Sequence, residues 1–397
     1  MKENIIFNVG GLSDYLKSTS INYELQTDIV EGVRKNSMAL RLSPHVLQLI
    51  DWQNVTTDPI RKQFLPLLSE YLPSHPQLRI DSLSEKNSQV APGILHRYPN
   101  KVLFLLGTSC ATYCAFCTRS YLVGPNTQAL TKDHLFKSST ANIDILINYL
   151  EENIHVNDIV VSGGDIAVVD IEIINLLLTK LLTIKSLKTI RLATRTLLFA
   201  PSLLLPNTPL FDTIVKHNEK FKHRNIELSI QCHFNHANEI SIESQKISIS
   251  LWQSGVTIRN QTVLLDGVNS TIDAQEKLIR KLIDSNIHPY YVYQMDMVDN
   301  AEHFRTNLET CIYISKNLTG MFTGFQLPKF IVDLPDGGGK RSVYEYEFYD
   351  KKYGIYGFTS PIISGDKIYY YCDPLRYLDP NIEKEWYQKR SISKLYD

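Results

Sequence analysis

Cys110, Cys114 and Cys117 are spaced C-x3-C-x2-C. Thiolates are soft ligands suited to zinc or to iron–sulfur clusters. A [4Fe–4S] cluster has four irons, each normally held by a cysteine. Three ligands in one loop leave one iron open to a small molecule. Zinc is the competing reading, but it prefers four ligands and paired two-residue spacings, and no fourth Cys or His lies close in sequence. The chain has 6 cysteines, and the crowding of three of them argues for a cluster over disulfides in a reducing compartment.

Other residues suited to chemistry sit where β-like runs stop. Ser162, Gly163, Gly164 and Asp165 close one run, and Arg195 and Thr196 follow the next. His233, Asn235 and His236 follow a third, Asn260 and Gln261 lie within a fourth, and Asp296 follows a fifth. Each alone is ordinary: a Gly-Gly pair is a turn, and a strand-end Asp makes local hydrogen bonds. Their coincidence at strand ends is what points to a site. Gly163 and Gly164 would let backbone approach a ligand. Lys340 follows Gly337, Gly338 and Gly339, a supple loop able to deliver an amine to an aldehyde. A surface lysine after a tight turn fits the local sequence equally well.

The elements that must position these residues read as α/β. Residues 1 to about 88 space apolar residues at three and four, as in HVLQLIDWQ and DPIRKQFLPLLSEYL, which predicts helices. Six β-branched runs then alternate with helical segments: 101–107, 158–163, 189–194, 226–231, 257–265 and 289–294. Repeated βα units predict a parallel sheet, either a complete or partial barrel or a doubly wound sheet. In a barrel, chemistry gathers at the strand ends. The division expected is 1–90 mainly helical, 91–345 the barrel and 346–397 a Tyr-rich C-terminal extension with short strands.

The formal net charge is −1, from Lys+Arg 41 against Asp+Glu 42. That balance, with no basic run, gives no sign of a nucleic-acid-binding surface, and no nucleic-acid partner is expected. MKENIIFNVGGLSDYLK has no apolar leader core, and no apolar run is long enough for a membrane span, so a cytoplasmic protein is expected.

Taken together, the motifs resemble the lysine 2,3-aminomutase family of PLP-dependent radical SAM enzymes. The matching stretches are HRYPNKVLFL (96–105), CATYCAFCTR (110–119), VSGGD (161–165), HFNHANEI (233–240), NQTVLLDGVN (260–269), PYYVYQMD (289–296), EHFRT (302–306) and VDLPDGGGK (332–340). They run from roughly residue 40 to residue 345 and occur in order.

The resemblance implies a partial (β/α)6 TIM-like barrel, a [4Fe–4S] cluster, S-adenosylmethionine (SAM) and pyridoxal phosphate (PLP). It implies that an amino group moves from C2 to C3 of a small amino acid, most simply L-lysine, with a flavodoxin or ferredoxin type of electron donor. Cys110, Cys114 and Cys117 would hold the cluster. Lys340 would carry PLP, with Arg97, Tyr98 and Lys101 toward its phosphate. Ser162, Gly163, Gly164, Asp165, Arg195, His233 and Gln261 would line the cofactors, Asp165 facing the SAM ammonium. Arg119 would bind the substrate carboxylate, and Asp296 and Asp333 its side-chain ammonium.

Four departures stand out. Thr271 and a tail with only Cys372 replace the family's zinc cysteines, so no structural zinc is expected, and any homo-oligomer would not be bridged by one. CTRSYLVG, with Ser120 and Tyr121, stands where the family has an arginine-rich run after the cluster. Residues 201–227, with KHNEKFKHRN, read as a surface insertion. Asp336 interrupts the glycine run. Cys232 and Cys311 read as packing residues. The alternatives are a 2,3-aminomutase for arginine or ornithine, a PLP-free radical SAM enzyme, and an iron–sulfur sensor without turnover.

Overall fold

The computed structural model describes residues 5–133 and 139–396; the first four residues of the N-terminal stretch read for a leader lie outside the described residues. Four helices open the fold: α1 (Val9–Lys17), α2 (Tyr23–Lys35), α3 (Pro44–Leu49) and α4 (Pro59–Phe64). Asn8, Asn22, Ser43 and Asp58 cap them by accepting from backbone N–H groups of the first turn, and Pro44 and Pro59 occupy first-turn positions that need no donor. α4 stops sooner than its apolar spacing predicts. Leu65 stands before Pro66 and leaves helical geometry at φ −130°, as a residue preceding proline must.

The central sheet has ten strands in chain order. β1 (Gln89–Ala91) and β2 (Ile94–Tyr98) are antiparallel and lead into β3 (Lys101–Gly107). Then follow α5 (Thr140–Glu152), β4 (Asp158–Gly163), α6 (Ile171–Leu181), β5 (Thr189–Ala193), α7 (Thr196–Phe199), α8 (Pro209–Lys222) and β6 (Glu227–Cys232). α9 (Ile242–Gln253), β7 (Thr257–Leu264), α10 (Ile272–Asp284), β8 (His288–Gln294), α11 (Leu308–Leu318) and β9 (Lys329–Leu334) complete the βα run, and β10 (Gly339–Ser342) folds back antiparallel on β9. β3 to β9 are parallel throughout. A doubly wound sheet reverses its strand order part-way, so sequential order excludes it.

All six expected strands form, within a residue or so of their anticipated ends. The seventh parallel strand, β9, was missed because its apolar run is short and ends at Pro335. Burial along β4 and β7 alternates strictly, so one face of each strand packs on helices and the other faces the lumen.

The sheet curls until its ends meet. β2 and β9 are seven steps apart, about 34 Å if the sheet were flat, yet Arg97 Nη2 lies 2.9 Å from Asp333 Oδ1. The Lys340 backbone N–H also donates to the Tyr98 hydroxyl at 2.9 Å. Side chains close this partial barrel where backbone pairing does not.

One expectation is corrected here. Residues 201–227 are not a surface insertion. They contain α8, the crossover helix between β5 and β6, which buries Leu210, Phe211, Ile214 and Phe221. KHNEKFKHRN reads as a loop because its polar residues stand on both faces of these turns: His217 and Asn218 are buried, His217 bonding Thr179 and Asn218 donating to Gly255 O.

The C-terminal residues form a three-stranded sheet, β11 (Phe348–Asp350), β12 (Ile355–Thr359) and β13 (Ile368–Cys372), followed by α12 (Pro380–Lys389) and α13 (Ile392–Leu395). Buried Tyr356, Phe358, Tyr371 and Trp386 share one apolar core with Val332 of β9 and Cys311 of α11. Among the described residues, no helix is long and apolar enough to cross a membrane.

Candidate active site

The C-terminal ends of β3 to β9 surround one cavity of about 700 Å³. Every residue singled out for a cofactor or substrate lies in its wall, from the cysteines on one side to Lys340 on the other.

The cysteine loop follows β3 and is pinned from outside the barrel. Tyr113 N–H donates to Arg41 O at 3.2 Å, and Ala115 N–H to Gln63 O at 2.8 Å, so the N-terminal helices fix its path. Arg195 Nη1 donates to Cys114 Sγ at 2.7 Å, and its Nη2 bonds Glu239 and Gln63. Burial raises all three thiols; Cys117 is pushed up to about 11 by burial and by Cys114. Among the described residues no group of His, Cys, Asp or Glu is placed to hold a single metal ion. A [4Fe–4S] cluster asks for something else, one thiolate for each of several irons, and that spaced set of three sulfurs around one cavity fits it.

Gly163 and Gly164 have a different reason from the one expected. A Cβ on either would lie 2.1 Å from the carbonyl oxygen of Gly107 or Ser109. They are glycines so that the end of β4 can lie against the backbone of the cysteine loop, with Gly164 N–H donating to Gly107 O at 2.6 Å. Asp165 is likewise not a free anion for an ammonium group. Its carboxylate accepts from Ala167 N–H at 2.9 Å, the Thr194 hydroxyl at 2.7 Å, Arg195 N–H at 2.5 Å and the Thr196 hydroxyl at 3.1 Å. It ties β4 to β5 and sets the direction of Arg195. Burial and Arg195 hold His233 well below the usual imidazole range, so it is neutral, and it bonds Asn235 at 3.1 Å. Asn235 itself is scaffold, accepting from Val263 N–H and donating to Gln63. Gln261 bonds Gln231 at 3.1 Å and accepts from the Tyr293 hydroxyl at 3.0 Å.

Lys340 lies on β10, directly across from Asp333 of β9. Its Nζ stands 2.9 Å from Asp333 Oδ2 and between the rings of Tyr98 and Tyr293, at 5.5 and 5.8 Å. Burial opposes the charge, but Asp333 outweighs it, and Lys340 is held as an ammonium well above the ordinary range. The glycines before it are not a supple loop. Gly337 and Gly339 adopt φ of +79° and +90°, and a Cβ on Gly338 would meet Tyr369 at 2.7 Å. The run makes a packed turn that left-handed backbone requires.

Around Lys340 two polar groups are buried without partners among the described residues: the Nη1 donor of Arg97 and the Oδ1 acceptor of Asp296. Leaving such groups unpaired costs about 1–3 kcal/mol each. They are a donor for an anion and an acceptor for a cation. Lys101 stands over the Tyr98 ring at 4.4 Å, its pKa lowered by burial and by Arg191. A site with Arg97, Lys101 and Lys340 around one tyrosine fits a phosphorylated aldehyde.

Two expected substrate residues are engaged otherwise. Asp333 is shared by Arg97 and Lys340. Arg119 forms a side-on pair with Glu85, Nε to Oε2 at 2.8 Å and Nη2 to Oε1 at 2.6 Å.

With this geometry in hand, the chain can be set beside known proteins. L-lysine 2,3-aminomutase of Clostridium subterminale is 34% identical over 315 residues, 79% of this chain and 71% of that one. The enzyme of the same name from Methanococcus maripaludis is 33% identical over 337 residues, 85% and 73% of the two chains. The chain belongs to the L-lysine 2,3-aminomutase family. Glutamate 2,3-aminomutase of Clostridioides difficile is 32% identical over 304 residues, 75% and 66% of the chains. No model of a known protein family matches. Among solved structures, SuiB of Streptococcus suis bound to S-adenosylmethionine aligns at a TM-score of 0.42 and 14% identity, covering 61% of this chain and 52% of that one. A radical SAM methyltransferase from Sphaerobacter thermophilus aligns at 0.41 and 16%, covering 60% and 68%.

The residues expected to depart from the family motifs have places of their own in this fold. Tyr121 donates its hydroxyl to Glu85 at 3.0 Å, and Ser120 O accepts from the buried Lys132 ammonium. Thr271 caps α10 through Ala274 N–H at 3.2 Å, and Cys372 is buried in β13. Asp336 sits at φ +56° and pairs with Arg79, latching the lysine turn to the segment before β1.

Sequence reasoning missed Glu85 and Tyr293. Tyr293 could have been found: it alternates with Tyr291 of β8 and with Met295 just past the strand, and all three reach the cavity. Glu85 gave no signal, because it stands in an irregular polar stretch.

Proposed function

We propose that the chain is a 2,3-aminomutase for a small cationic amino acid, L-lysine first, using a [4Fe–4S] cluster, SAM and PLP in the barrel cavity. The observation that carries this is that Cys110, Cys114, Cys117 and Lys340 line one cavity. When bound, the cluster and SAM supply a carbon-centred radical, and PLP supplies a conjugated system able to spread it.

Cys110, Cys114 and Cys117 would hold the cluster, with Arg195 donating to one thiolate and so favouring added negative charge. Lys340 would carry PLP, and Arg97 Nη1 and Lys101 would face its phosphate. Lys340 is an ammonium beside Asp333, so it must lose a proton before it reacts as an amine. Arg119 is placed for a carboxylate, a planar fork against a planar anion. The unpartnered oxygen of Asp296 is placed for a distant ammonium. An anionic side chain, as in glutamate, would meet the unpartnered Asp296 oxygen, which favours the cationic substrate. Pro361 and Ile362, between β12 and β13, join the cavity wall, and enclosure of this kind would keep water from the reacting atoms.

The test is anaerobic incubation of reconstituted protein with SAM, PLP, a reductant and pooled amino acids, followed by chromatography for a β-amino isomer. β-Lysine is the expected product; β-arginine or β-ornithine would shift the substrate, and no isomer from any amino acid would sink the reading.

A further inference from the structure

Arg119 belongs to a loop only two residues beyond Cys117, and Glu85 comes from a different part of the chain. Glu85 opens a one-turn helix, Glu85–Ser88, just before β1. Its segment is firmly held. Glu85 N–H donates to Asp81 Oδ1 at 2.9 Å, and Asp336 N–H donates to Ser82 O at 3.0 Å. Both Glu85 oxygens are used: Oε1 by Arg119 Nη2, and Oε2 by Arg119 Nε and the Tyr121 hydroxyl. Burial alone would raise its pKa, but Arg119, then Tyr121 and Arg97, bring it below the ordinary range. Glu85 is therefore held as an anion with both oxygens engaged.

The guanidinium has five N–H groups and two edges that can each grip a carboxylate. Glu85 occupies the Nε/Nη2 edge. Nη1 reaches Ser162 Oγ at 3.4 Å with one hydrogen. One N–H of Nη2 remains on the Nη1/Nη2 edge, and Nη1 keeps a second N–H besides the one directed at Ser162. Both Arg119 and Glu85 line the cavity.

We propose that Glu85 is the positioning residue for Arg119: it grips the guanidinium side-on so that the Nη1/Nη2 edge receives the α-carboxylate of the amino-acid substrate. This deepens the aminomutase reading and rests on it. The competing picture, in which Glu85 plugs Arg119 and must be displaced, would need the substrate carboxylate to take the Nε/Nη2 edge that Glu85 occupies. Tyr121 completes the clamp: its hydroxyl donates to Glu85 at 3.0 Å without competing for it.

The experiment compares holoenzyme carrying Glu85→Ala, Glu85→Gln and Tyr121→Phe with the wild type. Binding is read by spectroscopic titration of the PLP chromophore with two probes: L-lysine, and 1,5-diaminopentane, which lacks only the carboxylate. Iron and PLP contents are measured on the same samples. Glu85→Ala should weaken L-lysine binding and raise its KM by about 10–100-fold with kcat nearly unchanged, as misplacing a positioned group does. Binding of the diamine should not change. Glu85→Gln and Tyr121→Phe, which keep the shape of the site, should show the same selectivity to a smaller degree, and they carry the test if the alanine variant does not fold.

Tighter L-lysine binding in the variants would make Glu85 a competitor and overturn the proposal. So would equal effects on both probes, or none on either. A wild type that neither binds nor converts any amino acid would overturn both this proposal and the function. A wild type that converts L-lysine while the variants fail to discriminate would overturn this proposal alone.

Discussion

Arg97 Nη2 donates to both oxygens of Asp333, at 2.9 and 3.1 Å, across the seam where the two ends of the curled sheet meet. The same carboxylate holds Lys340 Nζ at 2.9 Å. One acid thus closes the barrel and fixes the charge of the amine expected to react.

Asp333→Asn should leave two neighbouring cations without their counter-ion. We expect a loss of about 2–3 kcal/mol by urea unfolding, somewhat under the 3–5 of a fully buried pair. The pKa of Lys340 is raised in the fold, so its contribution to stability is present below the unfolded-state value and is lost as pH climbs through the raised one. Without Asp333 that value falls. The borohydride-trappable PLP adduct should then form at lower pH than in the wild type, and an unshifted pH profile would contradict this ion pair's role.

Asp296 has its pKa raised, first by burial and then by Asp333. For an acid with a raised pKa the stabilising, protonated form is lost as pH rises through the folded value. Asp296→Asn should therefore gain stability relative to the wild type between mildly acidic and alkaline pH, by about 1–3 kcal/mol at the alkaline end. Thermal melts of both proteins across that range, without substrate, check the sign.

Gly164→Ala should disturb the cluster loop through packing alone. A Cβ 2.1 Å from Ser109 O forces backbone to move, at a cost of about 1–3 kcal/mol. Iron bound after reconstitution should fall even though no ligand is altered. Full iron content with unchanged stability would show that the loop has slack.

Asp336 separates two effects at one position. Asp336→Ala loses the Arg79 pair and keeps φ +56°, which favours Asp or Gly, so it should cost about 1–2 kcal/mol. Asp336→Gly also loses the pair, which is exposed and worth only about 0–1 kcal/mol, but relieves the backbone. Chemical denaturation should therefore rank glycine near the wild type and alanine below both.

Cys114→Ala should leave no 5′-deoxyadenosine when the protein is given SAM and a strong reductant. Lys340→Ala should still cleave SAM while losing the trappable PLP adduct. Mass spectrometry reads both, and the two variants must fail differently if the cysteines and the lysine have separate roles.

The sequence by itself determined the parts governed by short-range rules. β-Branched runs at 101–107, 158–163 and 257–265 pair as strands because their side chains suit a pleated surface wherever it lies. Cys110, Cys114 and Cys117 needed no fold to be recognised, since a ligand loop is local. Every residue given a cofactor or substrate role lines the cavity, whereas Asn235, His236 and Asn260 are not part of its lining.

What the tertiary structure decided are contacts between distant residues. Arg97 and Asp333 are 236 positions apart, and no local pattern says that a phosphate-facing arginine also seals the barrel. Glu85 acquires a meaning only when the chain returns 34 positions later with Arg119. Gly163 and Gly164 read as a ligand approach in sequence; in the fold they are small because two backbones touch. Local propensity acts through neighbours along the chain, whereas charge pairing and steric exclusion act through space, and only the curl of the sheet brought these groups within reach.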